Sequence, residues 1–300
     1  MYENSSAHET CTLDTPDILD PAPDLSILPP VIFDPSIFTV DNLLEAKGEL
    51  MISVCIPARD EARTIGQVIQ AIAHPHLRSK GGSGLIDEIL VIDDRSQDST
   101  SEKALSTGAK VISLDLDLDL ESAQNSKPGK GEAMAVGLAE SIGDIIVFLD
   151  ADVENTTDLF ITGLVGPLLL HPEIMLVKGF YERPLHGAPS GGGRVTELVA
   201  RPLIELLFPA LSNVRQPLAG ETASHRWVLD KIGFARGYGV ELGLLIDTSV
   251  HFGTQAIAQV DLGTRIHRNR PLDQLRPQAV DIIRTALSRT DRFTDPQIDR

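Results

Sequence analysis

The stretch Gly143-Asp144-Ile145-Ile146-Val147-Phe148-Leu149-Asp150-Ala151-Asp152 decides the fold. An apolar run of strand character, Ile145 to Leu149, ends in two aspartates separated by one small residue. Side chains alternate along a strand, so Asp150 and Asp152 point the same way just past its carboxyl end. Two hard oxygen ligands at the mouth of a sheet suit a divalent cation that holds a diphosphate. An Asp-x-Asp after a strand is also an ordinary acidic loop, so its weight depends on what else reaches the same place.

Working outward, Met51 to Pro57, Glu88 to Asp94 and Lys110 to Leu114 read as further strands. Between them, Ile65, Val68, Ile69 and Ile72 recur at helical spacing over Thr64 to Ala73, and Asp98 or Ser99 caps a helix running to about Thr107. Gly131 to Ser141 is the helix before the Asp-x-Asp strand. Strands alternating with helices give a mostly parallel sheet flanked by helices on both faces, an α/β fold. Ligands bind such sheets outside the carboxyl ends of the strands. Three of those ends carry polar clusters: Pro57 to Glu61, Asp93 to Ser96, and Asp150 to Asp152. Their convergence says more than any one motif.

The second half is less regular. Met175 to Tyr181 and Ile257 to Leu262 read as strands, and Val195 to Leu211 as a helix bent near Pro202 and Pro209. Leu272 to Leu287 reads as a closing amphipathic helix. The strictly alternating segment Leu114 to Glu121 reads as a solvated edge or loop. The expected organisation is a poorly ordered tail over 1–35 and two halves, 36–155 and 156–300, that form one compact domain.

Composition narrows the function. Basic residues number 26 against 43 acidic, a net charge of −17, which argues against nucleic acid and anionic membrane surfaces as partners. With 42% hydrophobic residues the chain of 300 can bury a sizeable core. Residues 1–30 are acidic and proline-rich with no apolar signal core, and Leu198 to Leu211 is too short and too interrupted to cross a bilayer. Cys11 and Cys55 lie in unlike contexts, which argues against a disulfide and fits a cytoplasmic protein.

Each cluster has a chemical and a structural reading. Amides and acids of Pro57-Ala58-Arg59-Asp60-Glu61 suit a base and ribose, or a helix first turn. Asp93 and Asp94 offer acceptors to a uracil imide or ribose hydroxyls, or close a turn. Lys130 reaches a nucleobase carbonyl or phosphate, or stays in solvent. In Ser190-Gly191-Gly192-Gly193-Arg194-Val195-Thr196 a glycine run meets a helix start with Arg and Thr beside it, which makes an anion pocket, or else a flexible linker. Alternation puts Arg265, His267 and Asn269 on one face of a basic segment, with His267 a candidate third metal contact, or makes a basic surface loop. Glu241 opens an apolar helix, where an acid holds a sugar hydroxyl, acts as a base, or complements the helix dipole.

Taken together, these residues resemble a nucleotide-sugar glycosyltransferase of the GT-A type, and more closely the glucosyl-3-phosphoglycerate synthases. PARDEARTIGQVI (57–69), VIDDRSQDST (91–100), PGKGEA (128–133) and VFLDADV (147–153) are shared widely among GT-A enzymes. GGGRVTELVARPL (191–203), QPLAGE (216–221), GYGVELGLLIDT (237–248) and QVDLGTRIHRNRPL (259–272) are more specific. The resemblance implies a retaining transfer of glucose from UDP-glucose or GDP-glucose to the 2-hydroxyl of 3-phosphoglycerate by a homodimer, with 36–155 as the nucleotide-sugar-binding half and 156–300 as the acceptor-binding half. By the same resemblance, Pro57 to Glu61, Asp93, Asp94 and Lys130 hold the nucleotide. Asp152 and His267 ligate Mg²⁺ or Mn²⁺, with Asp150 and Ala151 beside the ribose or sugar. Gly193, Arg194, Thr196, Asn269 and Arg265 hold the acceptor, Glu241 the glucose hydroxyls, and the backbone at Leu218 lies beneath the reacting centre. An acid at Asp94 departs from the small polar residue usual there. The competing readings are an inverting GT-A transferase with Glu241 as base, a nucleotide-sugar-binding protein without turnover, and a nucleotidyltransferase.

Overall fold

The computed structural model describes residues 29–76, 84–114, 129–185, 188–191, 193–266 and 272–290. In chain order its elements are β1 (Val31–Phe33), α1 (Val40–Lys47), β2 (Ile52–Ala58), α2 (Ile65–His76), β3 (Glu88–Asp93), α3 (Thr100–Ser106), β4 (Lys110–Ser113), α4 (Lys130–Glu140), β5 (Ile145–Phe148), α5 (Leu159–Leu170) and β6 (Leu176–Glu182). The hairpin β7 (Pro184–Leu185) and β8 (Ala188–Gly191) follows, then α6 (Arg201–Leu207), β9 (Thr222–His225), α7 (Arg226–Ile232), α8 (Val240–Phe252), β10 (Ile257–Thr264) and α9 (Leu272–Leu287).

Among the described residues the main sheet has the order β1-β10-β6-β9-β5-β2-β3-β4. Neighbours pair in parallel except at β9, which runs antiparallel to both β5 and β6. The chain leaves β2 toward β3 and β4, then returns through α4 to β5 on the other side of β2. The strand order therefore reverses between β2 and β5, the crevice where open α/β sheets bind ligands.

Alternation along these strands sends side chains into two cores. Val54, Ile56 and Val147 pack with Ile65, Ile69, Ile161 and Val165 from α2 and α5. Cys55, Ile146 and Phe148 pack on the opposite face with Met134, Leu242, Leu245 and Ile282 from α4, α8 and α9. Both faces are thus covered, which is why β5 reads as an unbroken apolar run rather than an alternating one. Burial, with the Glu88 carboxylate nearby, pushes the Cys55 thiol up to about 12, so it is an inert core group.

Two details differ from the sequence reading. The sheet begins inside the stretch assigned to the tail: β-branched Val31 and Ile32 enter β1, paired with β10, and Asp34 caps a short 3₁₀ turn behind them. Residues 1–28 lie outside the described part, as does 115–128, which holds most of the alternating acidic segment. The helix expected over 195–211 is a π-turn (Thr196–Ala200) continued by α6, and it stops at Leu207 before a 3₁₀ turn at Pro209–Leu211. Pro202 has no N–H to donate, and the Arg201 N–H reaches back to the Thr196 carbonyl, one residue wider than an α-turn. No helix among the described residues is long and apolar enough to cross a membrane.

Candidate active site

A cleft of about 240 Å³ opens over the carboxyl ends of β2, β3 and β5. Pro57, Ala58, Arg59 and Glu61 line it from β2, Asp94 from β3, and Asp150, Ala151 and Asp152 from β5. Lys130 enters from the first turn of α4, Glu241 from the first turn of α8, and Gly193, Arg194 and Thr196 from the turn before α6. Leu218 and Arg265 complete the floor.

An ion cluster holds the floor together. Lys130 Nζ lies 2.5 Å from Asp150 Oδ1 and 2.6 Å from Glu241 Oε1. Arg265, only 3% exposed, places one terminal nitrogen 2.8 Å from Asp150 Oδ2 and 2.6 Å from Asp152 Oδ1. Its other terminal nitrogen sits 3.1 Å from Glu221 Oε1 and donates to the Tyr181 hydroxyl at 2.5 Å. Burial alone would raise the Asp150 carboxyl, but Lys130 and Arg265 outweigh it and hold it well below the usual range. Burial would likewise lower Lys130, yet Asp150 and Glu241 hold it above its ordinary value. Glu221 has 0% exposure, and burial pushes its carboxyl up against the opposing pull of Arg265.

Two glycines make this geometry accessible. A Cβ on Gly131 would overlap the Ala235 carbonyl, so only glycine lets the start of α4 approach the 235–237 segment and bring Lys130 to Glu241. Glu132 stitches the same junction, accepting from the amides of Gly129 at 2.9 Å and Gly237 at 3.1 Å. A Cβ on Gly220 would overlap the Asp150 carboxylate. Gly220→Ala is therefore expected to displace Asp150 and lower kcat by ~10²-fold through misplacement alone. Steady-state kinetics beside a near-native melting curve would show this, and unchanged turnover would contradict the placement.

The loops after β2 and β3 brace one another. Asp60, at φ 56°, receives the Gln97 amide at 2.7 Å and donates its own amide to the Ser96 hydroxyl at 3.0 Å. Asp93 accepts from the Ser96 amide at 2.9 Å and from the Ser101 hydroxyl. Asp60 and Asp93, expected to touch the donor, thus have carboxylates engaged within these loops, and neither lines the cleft; each shapes the wall behind it. Asp94 does face the cleft, tied to Arg95 Nε at 2.8 Å. His267 and Asn269 lie outside the described residues.

Sequence reasoning missed a buried tier under the floor. Lys178, 1% exposed in the middle of β6, donates its ammonium to the Ala219 carbonyl and so pins the turn that carries Leu218. Burial lowers it to about 8. Tyr181 donates to Glu221 Oε2 at 2.8 Å, and burial pushes its hydroxyl up to about 12. The available signal was a lysine interrupting the apolar run of β6 and an acid just before β9.

Among the described residues no group of three or more His, Cys, Asp or Glu could cage a metal. The donor set still fits one. One carboxylate oxygen each from Asp150 and Asp152 converges on a single cationic nitrogen, so both are aimed at one positive point. A hard divalent ion that keeps water and substrate phosphate among its ligands needs no more than one or two protein carboxylates.

Residues 53–201 match the model of glycosyl transferase family 2. Glucosyl-3-phosphoglycerate synthase of Mycobacterium tuberculosis (strain H37Rv) is 48% identical over 259 residues, 84% of this chain and 77% of that protein. The chain belongs to the glucosyl-3-phosphoglycerate synthase family. Another member, from Petrotoga mobilis, is 45% identical across 83% of this chain and 76% of its own length. A crystal structure of the M. tuberculosis enzyme with Mn²⁺ and UDP-glucose superposes with a TM-score of 0.77 at 46% identity, covering 88% of each chain. A second, with Mn²⁺, UDP-glucose and phosphoglyceric acid, gives 0.74 at 47% identity over 84% of each. The α/β sheet and switch-point cleft described above are the family's GT-A scaffold.

Proposed function

We propose that the protein transfers glucose from UDP-glucose to the 2-hydroxyl of 3-phosphoglycerate with retention of configuration, releasing UDP. The observation that carries this reading is the cleft floor, where Asp150, Asp152, Lys130, Glu241 and Arg265 converge at the β2/β5 switch point in a chain of this family. The cleft lining carries Arg59, Lys130, Arg183, Arg194 and Arg265 against Glu61, Asp94, Asp150, Asp152 and Glu241. It is therefore locally balanced within a chain of −17, and can receive two polyanionic substrates.

Asp152 would hold Mg²⁺ or Mn²⁺ together with His267, with Asp150 adjacent. Once bound, the cation offsets negative charge that builds on the departing diphosphate. Asp94 and the β2 loop face the nucleoside. Glu241, fixed by Lys130, accepts hydrogen bonds from glucose hydroxyls. The Leu218 backbone, held from below by Lys178, floors the reacting centre. Arg194 and Thr196, at a helix start, hold an anionic group of the acceptor. The division at 155 is crossed by the Lys130–Glu241 and Asp150–Arg265 ion pairs, which supports donor-binding and acceptor-binding halves working as one unit.

Ion pairing also bears on stereochemistry. Asp150 and Glu241 are each neutralised by a cation at 2.5–2.8 Å, which makes both poor nucleophiles. Retention then proceeds without a covalent glycosyl-enzyme, the leaving phosphate taking the proton of the attacking hydroxyl on the same face. Incubation with UDP-glucose, 3-phosphoglycerate and Mn²⁺, followed by mass spectrometry and proton NMR, should give UDP and the α-glucoside in equal amounts. A β-linked product would return the inverting reading, and a glucosyl adduct on Glu241 would overturn the one-step route. Arg194→Ala should raise the KM for 3-phosphoglycerate by ~10- to 100-fold while the Kd for UDP-glucose stays within about twofold; unaltered acceptor kinetics would remove Arg194 from the anion pocket.

A further inference from the structure

We infer that Arg183, just past the end of β6, binds the carboxylate of the acceptor and so makes the site prefer a phosphorylated hydroxy acid to the matching phosphorylated alcohol. This rests on the transfer reaction proposed above and adds a residue to it.

Arg183 lines the same cleft wall as Gly193, Arg194 and Thr196. A Cβ built on Gly193 would come within 3.4 Å of Arg183 Nη1, so the guanidinium lies directly against the helix start that holds the acceptor. It is anchored from behind. Its Cζ stands 5.0 Å from the centroid of the Tyr181 ring, and Nη2 donates to the Tyr181 hydroxyl at 2.8 Å. That leaves the Nε–H, which is buried and has no hydrogen-bond partner among the described residues. Nε and a terminal nitrogen form the straight edge of the guanidinium fork, the edge that matches a planar carboxylate with two parallel hydrogen bonds. Nη1 is the nitrogen beside Gly193, and the unpartnered Nε–H leaves no hydrogen bond from Nε to tie the guanidinium away from a ligand oxygen.

The acceptor has two anionic groups, and the geometry sorts them. In 3-phosphoglycerate the carboxylate carbon is bonded to the carbon that bears the attacking hydroxyl, whereas the phosphate is one carbon further away. Arg183 is joined through Tyr181 to Glu221 and Arg265, and through Arg265 to Asp150 and Asp152. It therefore stands on the side of the pocket nearest the reacting centre. Arg194 and Thr196, at the helix start, face the phosphate, which suits backbone amides and a hydroxyl. Two cations thus read two groups, and the distance between them selects the acid.

The test compares wild type with Arg183→Gln and Arg183→Lys. It measures the KM for 3-phosphoglycerate and the Ki of glycerol 3-phosphate, which keeps the phosphate and the 2-hydroxyl but has no carboxylate, as a competitor of the acceptor. Arg183→Gln should raise the KM by ~10- to 100-fold and change the Ki less than threefold, with UDP-glucose affinity unchanged. Arg183→Lys keeps the charge and loses the fork, so its KM should fall between the two. Melting curves and UDP-glucose binding report whether each variant is folded, and Arg183→Lys carries the test if Arg183→Gln is not. Equal losses for both ligands would assign Arg183 to the phosphate and overturn the inference, and so would an unchanged KM. Wild-type protein that forms no product from 3-phosphoglycerate would defeat the transfer reading itself, a result separate from either of these.

Discussion

Asp152→Ala is expected to lower kcat by ~10³-fold or more, because the charge that builds on the leaving diphosphate loses its fixed counter-ion. The same change should weaken UDP-glucose binding in Mn²⁺ by at least about tenfold and leave the weak binding in EDTA as it was. Folding should be nearly unaffected. Asp152 is one of three carboxylates around Arg265, and its removal leaves that guanidinium still paired with Asp150 and Glu221. The loss is therefore chemical rather than structural, and titration calorimetry with and without the metal separates the two. Wild-type dependence on Mn²⁺ in the variant would show that the ion binds elsewhere.

Arg265→Ala should produce the largest loss of stability. It strips the counter-charge from Asp150, Asp152 and Glu221 and a donor from the Tyr181 hydroxyl; Glu221 and Tyr181 are buried, and the two aspartates are partly exposed to the cleft. Removing one side of a buried ion pair costs about 3–5 kcal/mol, which for a domain of this size lowers Tm by roughly 10 °C. The pH dependence has a definite sign. Asp150 is depressed in the folded protein, so its contribution is present above the unfolded aspartate value near ~4 and is lost as pH falls through the lower folded value. The gap in Tm between wild type and Arg265→Ala should therefore be full near neutrality and narrow in acid, where Asp150 becomes protonated in both. Mn²⁺ should also raise the Tm of the variant more than that of wild type, since a cation at the two aspartates replaces the lost charge. Melting curves at several pH values, with Mn²⁺ or EDTA, check all three, and a constant gap across that range would remove Asp150 as the coupled group.

Much of the donor side of this molecule is written in local pattern. β2, β3 and β5 are apolar runs that stop abruptly in polar residues, and their parallel pairing follows from the helices between them. Asp150, Asp152 and Lys130 come together because each sits at the end of such a run or at the first turn of the helix before one. The acceptor side and the buried tier are less legible because long-range pairing decides them. β9 is four small or polar residues, Thr222–His225, with no periodicity of its own, and only the gap between β5 and β6 makes it a strand. Lys178, Tyr181 and Glu221 acquire roles from that gap, since β9 carries the turn beneath Leu218 into register with β6. Asp60 and Asp93 show a different limit of the sequence. Their positions at strand ends suit ligand contact, while the partners that brace their carboxylates, the amides and hydroxyls of residues 96, 97 and 101, come from the loop after β3 and the start of α3 and have no local pattern.

The central claim is that the floor between β2 and β5 holds a cation and the donor's diphosphate. It is tested most directly by growing crystals of the protein with UDP-glucose and Mn²⁺ and recording anomalous diffraction from manganese. The expected map has one strong anomalous peak against the Asp152 carboxylate, shared with the diphosphate and within reach of His267. A peak remote from Asp152, or ordered UDP-glucose in the cleft with no manganese beside it, would contradict the account.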